Sequence, residues 1–548
     1  MTRRGRDLLL DILRSEGVQH VFGNPGTTEM PLIDGLSRQT GIEYVLALQE
    51  STAIGMADGY AQITGRPAFV NVHAAGGLGN AMGNITNARA NHAPLVITAG
   101  QQDQRHLVLE PLLAGDLVSM PKEWVKSSRE AHTTRELGLL LRRAFREASV
   151  APRGPTFLSM PMNLLDQDCG EPTPARSSVL AAQPLQGLEA LTARLLAARP
   201  GGIAFVMGDE ARAESCDDLV ELATQLGATV FGAPMHGRLL FPTDHALWAG
   251  PLPFSAEKIR DTLKRFEQIV FFGDQAFLVY LFSEVSALPE GVEFIHVSAD
   301  PTQLGRVYPT AMGIAAEPAA VIVRLAASVG QAASQARNAE AARFALDARD
   351  AKASRDQEQS RRADQRSGQS PMDPMAALRA VMQALRPDTL VVDEAITASA
   401  YVRGFYRGKP SAFLGCRGGG LGWGMPAAVG ASLGSGRAPT VCLVGDGSAM
   451  YSPQALWTAA RMQLPVLFVV INNGEYRILK QYGANAYAAG RVPFVGLDLD
   501  DPAIDFLALA ASMGVPARRA STEAQAAEAV HAALASGRPA LLELAVRP

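Results

Sequence analysis

The sequence predicts an α/β protein built of three doubly wound, parallel-sheet domains. Apolar runs of strand length, such as Val441–Val444 and Val466–Ile471, alternate with helical stretches, the pattern of parallel strands buried on both faces. The order strand end, glycine-containing turn, helix, Pro, strand runs from His73 to Pro94 and again, at nearly the same length, from Gly445 to Pro465. Two domains of one topology, one near each end, are therefore expected. At 548 residues, 47% hydrophobic and 19% charged, the chain is too long for one core and rich enough for several.

Residues 1–184 make the first domain. MTRRGRDLLLDILRSEG reads as an amphipathic opening helix: Asp7, Asp11 and Arg14 interrupt its apolar run, so it is neither a signal segment nor a membrane span. Gln19–Gly23 is a short strand that ends in Asn24-Pro25-Gly26-Thr27-Thr28-Glu29, a turn with a helix start. Tyr44–Gln49 is a second strand with Glu50 at its carboxyl end, followed by a helix from Ser51 to about Ile63 whose Ala53, Gly55, Ala57 and Gly59 allow close packing. Ala68–Val72 ends in His73, a helix reaches about Ala90, and Pro94 opens the strand Leu95–Ala99.

Residues 185–330 form a central α/β domain with strands at Ile203–Met207, Thr229–Phe231, Ile269–Phe272 and Phe294–Val297. Its Gly208-Asp209-Glu210 is not a dinucleotide fingerprint. Residues 331–370, with ARDAKASRDQEQSRRADQRSGQS, are a charged linker, either a solvated helix or a flexible connection. The last domain occupies residues 371–548.

A net charge of −4 and a pI near 6.2 give no sign of nucleic acid or an anionic membrane as partner. The four cysteines lie far apart with no CxxC, which argues against a zinc site and a disulfide framework. Cys442, inside an expected strand, reads as core packing. His92, His106 and His236 read as structural or surface residues. Cytoplasm is the default compartment.

The chemistry concentrates in VCLVGDGSAMYSPQALWTAARMQLPVLFVVINNGEYRILK, a strand, turn, helix and strand. It puts Asp446 and Asn473 at the carboxyl ends of two parallel strands, where open α/β sheets bind ligands. Their oxygens are hard ligands suited to Mg2+ held between protein and a phosphorylated ligand. Free N–H groups on Gly447 and Ser448 would suit the phosphate.

Gly445-Asp446-Gly447, followed after residues 448–471 by Asn472-Asn473, resembles the thiamine diphosphate motif. With NPGTTE, GIEYVLALQESTAIGMADGYAQ, HAAGGLGNAMG and GGGLGWGMPAA, nearly the whole chain outside the linker is similar to the thiamine diphosphate-dependent 2-keto acid decarboxylases and carboligases, and most closely to the benzoylformate decarboxylases. The resemblance implies pyrimidine-binding, central and pyrophosphate-binding domains, in that order. It implies Mg2+ on Asp446, Asn473 and the backbone carbonyl of Glu475, and diphosphate contacts from Gly447, Ser448 and a loop containing Thr397. Leu421 would prop a bent cofactor while the Gly419 carbonyl reaches its pyrimidine. Glu50 would bind the pyrimidine N1′ and drive formation of the ylid. In the family Glu50 and Asp446 belong to different subunits, so a homodimer is the smallest active unit implied, with a homotetramer as the assembly.

For the substrate, a 2-keto acid, His73 matches an active-site His that acetolactate synthases lack, and Thr27 replaces a Ser that holds the carboxylate. The second active-site His of the decarboxylases aligns with Tyr280, or with Phe277 or Leu278 if the register slips. A tyrosine does not shuttle protons near neutrality as His does. Tyr482 replaces a pocket Phe, and Arg477 and Lys480 would either attract a more anionic substrate or, as is expected, form a solvated helix face. The expected reaction is non-oxidative decarboxylation, through an ylid and an enamine, of a 2-keto acid such as benzoylformate to an aldehyde. The alternative is acyloin-forming carboligation of the acetolactate synthase kind. Retention of Glu50, Asp446 and Asn473 together speaks against a non-catalytic cofactor-binding paralogue.

Overall fold

A computed structural model describes residues 3–38, 41–177, 187–210, 213–279, 281–487 and 494–548. Three six-stranded sheets with flanking helices make up the chain. The first contains β1 (His20–Gly23), β2 (Glu43–Leu46), β3 (Ala68–His73), β4 (Leu95–Gln101), β5 (Ser128–Glu130) and β6 (Thr156–Pro161). The central sheet contains β7 (Ile203–Met207), β8 (Thr229–Gly232), β9 (Trp248–Pro251), β10 (Gln268–Phe272), β11 (Glu293–Ser298) and β12 (Met312–Ala315). The third contains β13 (Leu390–Glu394), β14 (Phe413–Gly415), β15 (Thr440–Gly445), β16 (Val466–Asn472), β17 (Ala517–Ala520) and β18 (Ala540–Ala545).

The first sheet has the order β2-β1-β3-β4-β6-β5 and the third β14-β13-β15-β16-β18-β17, which is one topology used twice. The expected internal repeat is therefore real. The central sheet is different, β12-β11-β10-β7-β8-β9. By compactness the chain forms two units. One comprises residues 1–179, 367–403 and 418–548, and the other residues 180–366 and 404–417.

The expected strands form, displaced by a residue or two at their ends. Glu50 is the exception. Its strand stops at Leu46, and Glu50 opens the helix Glu50–Thr64, whose N-cap Gln49 accepts the Thr52 N–H through Oε1 at 3.0 Å. The amide side chain of Gln49 competes with the sheet for the backbone here and wins. The Gly-Asp-Gly turn opens a short helix, Asp446–Ala449, and the helix expected after it runs from Ala455 to Met462. Within 331–370, Gln335–Asp364 is helical, with Ser334 capping its start. No described helix is long and apolar enough to cross a membrane.

Within the larger unit, the helix Glu50–Thr64 lies directly on the helix Gly424–Gly434. A Cβ on Gly430 would stand 1.7 Å from the Met56 carbonyl oxygen, and one on Gly59 2.1 Å from that of Ala427. Backbone meets backbone, so neither position has room for a methyl group. The same helix Gly424–Gly434 starts over Glu394, a fully buried carboxylate that accepts N–H groups from Gly422 (2.6 Å), Trp423 (3.3 Å) and Gly424 (2.6 Å). Burial pushes Glu394 from 4.5 up to about 7, against those three bonds.

Two stability measurements follow from this packing. Gly430→Ala is expected to cost about 1–3 kcal/mol or more in denaturant unfolding, through forced separation of the helices. Gly434→Ala, where the nearest atom would be 3.1 Å away, is expected to cost less. Equal costs would contradict the packing. For Glu394, the native state binds the proton more tightly than the unfolded chain. Its contribution to stability therefore falls as pH rises from about 4.5 to about 7. Glu394→Gln is expected to flatten that part of the melting-temperature profile; parallel profiles for parent and variant would disprove it.

Candidate active site

In both repeated sheets the strand order reverses beside the first strand, and the polar residues gather at the carboxyl ends of the strands there. In the third sheet these are Glu394 at the end of β13, Asp446 after β15 and Asn473 after β16. In the first sheet they are the 24–29 turn after β1 and His73 at the end of β3. His73 is thus the topological counterpart of the residues at the Asp446 turn.

Asp446 is buried. Its Oδ1 accepts the Gly447 N–H at 2.8 Å, and its Oδ2 accepts those of Asn473 (3.0 Å) and Gly474 (2.7 Å). The Gly447 N–H, expected to be free for a phosphate, is therefore given to Asp446, because a buried carboxylate takes the nearest donor. Asn473 Oδ1 accepts the Glu475 N–H at 3.1 Å, so these two expected metal ligands share one turn, which Asp446 grips through the Asn473 and Gly474 N–H groups. Burial still raises the Asp446 pKa despite these bonds, so its negative charge is incompletely balanced. An oxygen-only donor set around such a charge fits Mg2+. Among the described residues no group of three His, Cys, Asp or Glu side chains is arranged to hold a metal ion by itself.

Arg477 and Lys480 lie on a partly exposed helix face and form ion pairs there. Arg477 pairs with Glu475 at 3.1 Å, and Lys480 bonds both Glu475 and Asp498. These ion pairs pin the Glu475 turn to the helix Arg477–Ala486 that follows it. On that helix the Tyr482 ring is 46% exposed and meets Tyr487 edge to face at 6.4 Å. Leu421 is half-buried in the glycine turn, and Gly419 has φ +74°, a left-handed conformation that exempts it from Cβ strain. Thr397 is exposed in the loop after Glu394, and Ser448 is buried.

In the first domain the structure adds two residues that the sequence reading passed over, Thr28 and Glu29. Glu29 is buried. Its Oε2 lies 2.8 Å from His73 Nδ1 and accepts the Gly26 N–H at 2.9 Å. Its Oε1 accepts the Gly100 N–H at 2.9 Å and the Thr28 hydroxyl at 2.8 Å. Thr28 Oγ1 is also 3.1 Å from His73 Nδ1. The bond to Glu29 is the main reason that the His73 pKa lies above its ordinary value; burial opposes it, and the charges of Glu29 and Glu50 add to it. With Nδ1–H engaged by the carboxylate, Nε2 is the nitrogen left for chemistry. The signal in the sequence was the Glu three residues after Gly26, the spacing of a capping box. Thr27 is exposed at the same turn, and Glu50 is buried with Oε2 3.2 Å from Asn80 Nδ2.

The central unit bears on the missing histidine. Tyr280 lies outside the described residues. Phe277 is a core residue, packed against Phe271, Phe294 and Tyr308. His296, in β11, donates through Nε2 to the Gly273 carbonyl at 2.9 Å, as a structural residue does. At the switch point of this sheet, between β7 and β10, the buried Arg417 lies 3.2 Å from Asp209 and 2.5 Å from Asp274. The chain's own guanidinium occupies the two carboxylates there.

Comparisons with known proteins agree with this geometry. The profile described as "Thiamine pyrophosphate enzyme, N-terminal TPP binding domain" matches residues 3–120, that of the central domain 188–325, and that of the C-terminal TPP binding domain 397–544. The chain is 35% identical to a benzoylformate decarboxylase of Pseudomonas aeruginosa over 544 residues, 97% of each protein. It is 25% identical to an acetolactate synthase large subunit of Haemophilus influenzae, over 87% of this chain and 83% of that one. The structure of a thiamine diphosphate-dependent 4-hydroxybenzoylformate decarboxylase of Rhodococcus jostii RHA1 superposes with a TM-score of 0.87 at 29% identity, covering 100% of this chain and 99% of that one. The three matched domains, the doubled sheet topology and the relative at 35% identity place this chain in the thiamine diphosphate-dependent enzyme family, among its benzoylformate decarboxylase-like carboxy-lyases.

Proposed function

We propose that the chain decarboxylates a 2-keto acid without oxidation, releasing an aldehyde and carbon dioxide, and that the substrate is aromatic, as benzoylformate is. The observation that carries this reading is His73 held by Glu29 at 2.8 Å. A carboxylate at Nδ1 stabilises the imidazolium, so the ring can attract a substrate carboxylate and later return a proton from Nε2. The Tyr482 ring, at the position where the resemblance puts a pocket aromatic, supports an aromatic substrate.

Thiamine diphosphate, when bound, supplies the carbon nucleophile for the keto group and the sink for the electrons that carbon dioxide leaves behind. The chain's residues do the rest. Asp446, Asn473 and the Glu475 carbonyl would hold Mg2+ and through it the diphosphate. Glu50, buried and bonded by Asn80, would bind the cofactor's pyrimidine where water does not compete for the bond. The Thr27 hydroxyl would bind the substrate carboxylate, and Leu421 would support the cofactor. Exposed Val108 (83%), Leu109 (71%) and Leu112 (84%) support an oligomer, in which a second copy covers them.

A panel of 2-keto acids, with carbon dioxide release and product identity both followed, tests the reading. Aldehyde is expected. Acyloin as the chief product would favour the carboligase alternative, which the Tyr at position 280 supports. Glu50→Ala is expected to lower cofactor-dependent turnover by roughly 10²–10⁴-fold; activity like the parent's would defeat the assignment. Glu29→Gln removes the main cause of the raised His73 pKa. A step that needs protonated His73 slows as pH rises through its pKa, so the alkaline limb of kcat/KM should move to lower pH in this variant. An unmoved limb would take His73 out of the proton inventory.

A further inference from the structure

The helix Ala74–Ala90 and its C-cap carry Asn80, Asn84, Asn87 and Asn91 on one face, at the i, i+4, i+7, i+11 spacing. Asn84, Asn87 and Asn91 are buried, a costly arrangement unless each amide is bonded. Each of them is. Asn87 Oδ1 accepts the Gly420 N–H at 3.0 Å, while its Nδ2 donates to the Gly420 carbonyl at 2.9 Å and to Asn84 Oδ1 at 2.8 Å. Asn84 Nδ2 donates to the Ser51 carbonyl at 2.8 Å and lies 3.4 Å from that of Gly422. Asn91 bonds Asp58 at 2.9 Å, and Asp58 accepts the Trp423 indole N–H at 2.9 Å. At the exposed end of the row, Asn80 bonds Glu50.

The segment so held, residues 418–423, is neither helix nor strand. Gly419 and Gly422 stand at φ +74° and +91°, where a short glycine-rich chain has many alternatives. Asn87 grips Gly420 by donor and acceptor together, as a neighbouring strand would. The fit is tight, since a Cβ on Gly418 would lie 2.4 Å from Asn87 Oδ1. Through Ser51 the same amide pair reaches the first turn of the helix that Glu50 begins.

We infer that Asn84 and Asn87 are positioning residues for the cofactor, which fix the Gly419 carbonyl and Leu421 and tie their loop to the turn that carries Glu50. This inference rests on the thiamine diphosphate reading above. The test uses Asn87→Ala and the isosteric Asn87→Asp, which keeps the acceptor for the Gly420 N–H but loses both donated bonds. In cofactor-free protein, amide hydrogen exchange at Gly420–Trp423 is expected to quicken by about tenfold or more in both variants. With saturating Mg2+, the dissociation constant for thiamine diphosphate, measured by calorimetry, is expected to rise about tenfold to a hundredfold. The substrate KM at saturating cofactor is expected to stay where it is. If only the melting temperature falls, with exchange and cofactor affinity unchanged, the residues are merely structural and the inference is overturned. If the parent chain itself does not bind thiamine diphosphate, the functional reading fails, and the exchange rates alone judge whether the asparagines hold the loop. Should Asn87→Ala not fold, Asn87→Asp carries the same comparisons.

Discussion

The helix that begins at Glu50 and the helix that begins at Gly424 touch backbone to backbone, and the rest of the larger unit is arranged around that contact. Gly59 and Gly430 make it possible because each faces a carbonyl at a distance no Cβ tolerates. The consequence is chemical as well as mechanical. Each helix starts at a site element, Glu50 in one case and the 418–423 glycine loop in the other. Fixing the helices against each other fixes those starting points within a range that side-chain packing alone, with its rotamer freedom, would leave wider.

Around this contact the protein manages an unusual amount of buried negative charge. Glu29, Glu394 and Asp446 are all buried, and each accepts two or three backbone N–H groups. The outcomes differ with the remaining partner. Glu29 has a histidine and raises that histidine's pKa. Glu394 is itself driven toward the neutral form by its burial, and the Asp393 charge adds to the effect. Asp446 keeps an incompletely balanced charge, which is the state a divalent cation would complete. A buried carboxylate thus orients a histidine, caps a helix or draws a turn together according to what faces it.

The two end domains repeat a topology but divide the work. In the third sheet the reversal of strand order gathers oxygen ligands; in the first it gathers a histidine and carboxylates. The central sheet has its own order, and at its reversal the Asp209 and Asp274 carboxylates are neutralised internally by Arg417, the residue immediately before Gly418. A ligand-binding position of the fold is there occupied by the chain itself.

The apolar strands and the turns that follow them were legible from residue order, because a buried parallel strand needs a continuous apolar run and a ligand turn needs small or oxygen-bearing residues at its end. So Asp446, Asn473 and His73 stand where periodicity puts them. Strand ends and short edge strands such as Ser128–Glu130 were not legible, since hydrogen-bond partners from elsewhere in the chain decide them. The same holds for Glu29, Glu394 and Asn87. Nothing in TTE, VVDEA or NITNARA distinguishes a solvated polar residue from a buried one. What a buried carboxylate or amide does depends on which backbone groups meet it, and for Glu394 and Asn87 those groups lie hundreds of positions away or on another strand's turn. The sequence by itself determined the fold class, the repeated unit and the cofactor motif. Only the tertiary structure decided how Glu29 raises the His73 pKa, how Arg477 and Lys480 pair with Glu475 and Asp498, and which asparagines hold the glycine loop, because those properties arise from burial and distance rather than from order along the chain.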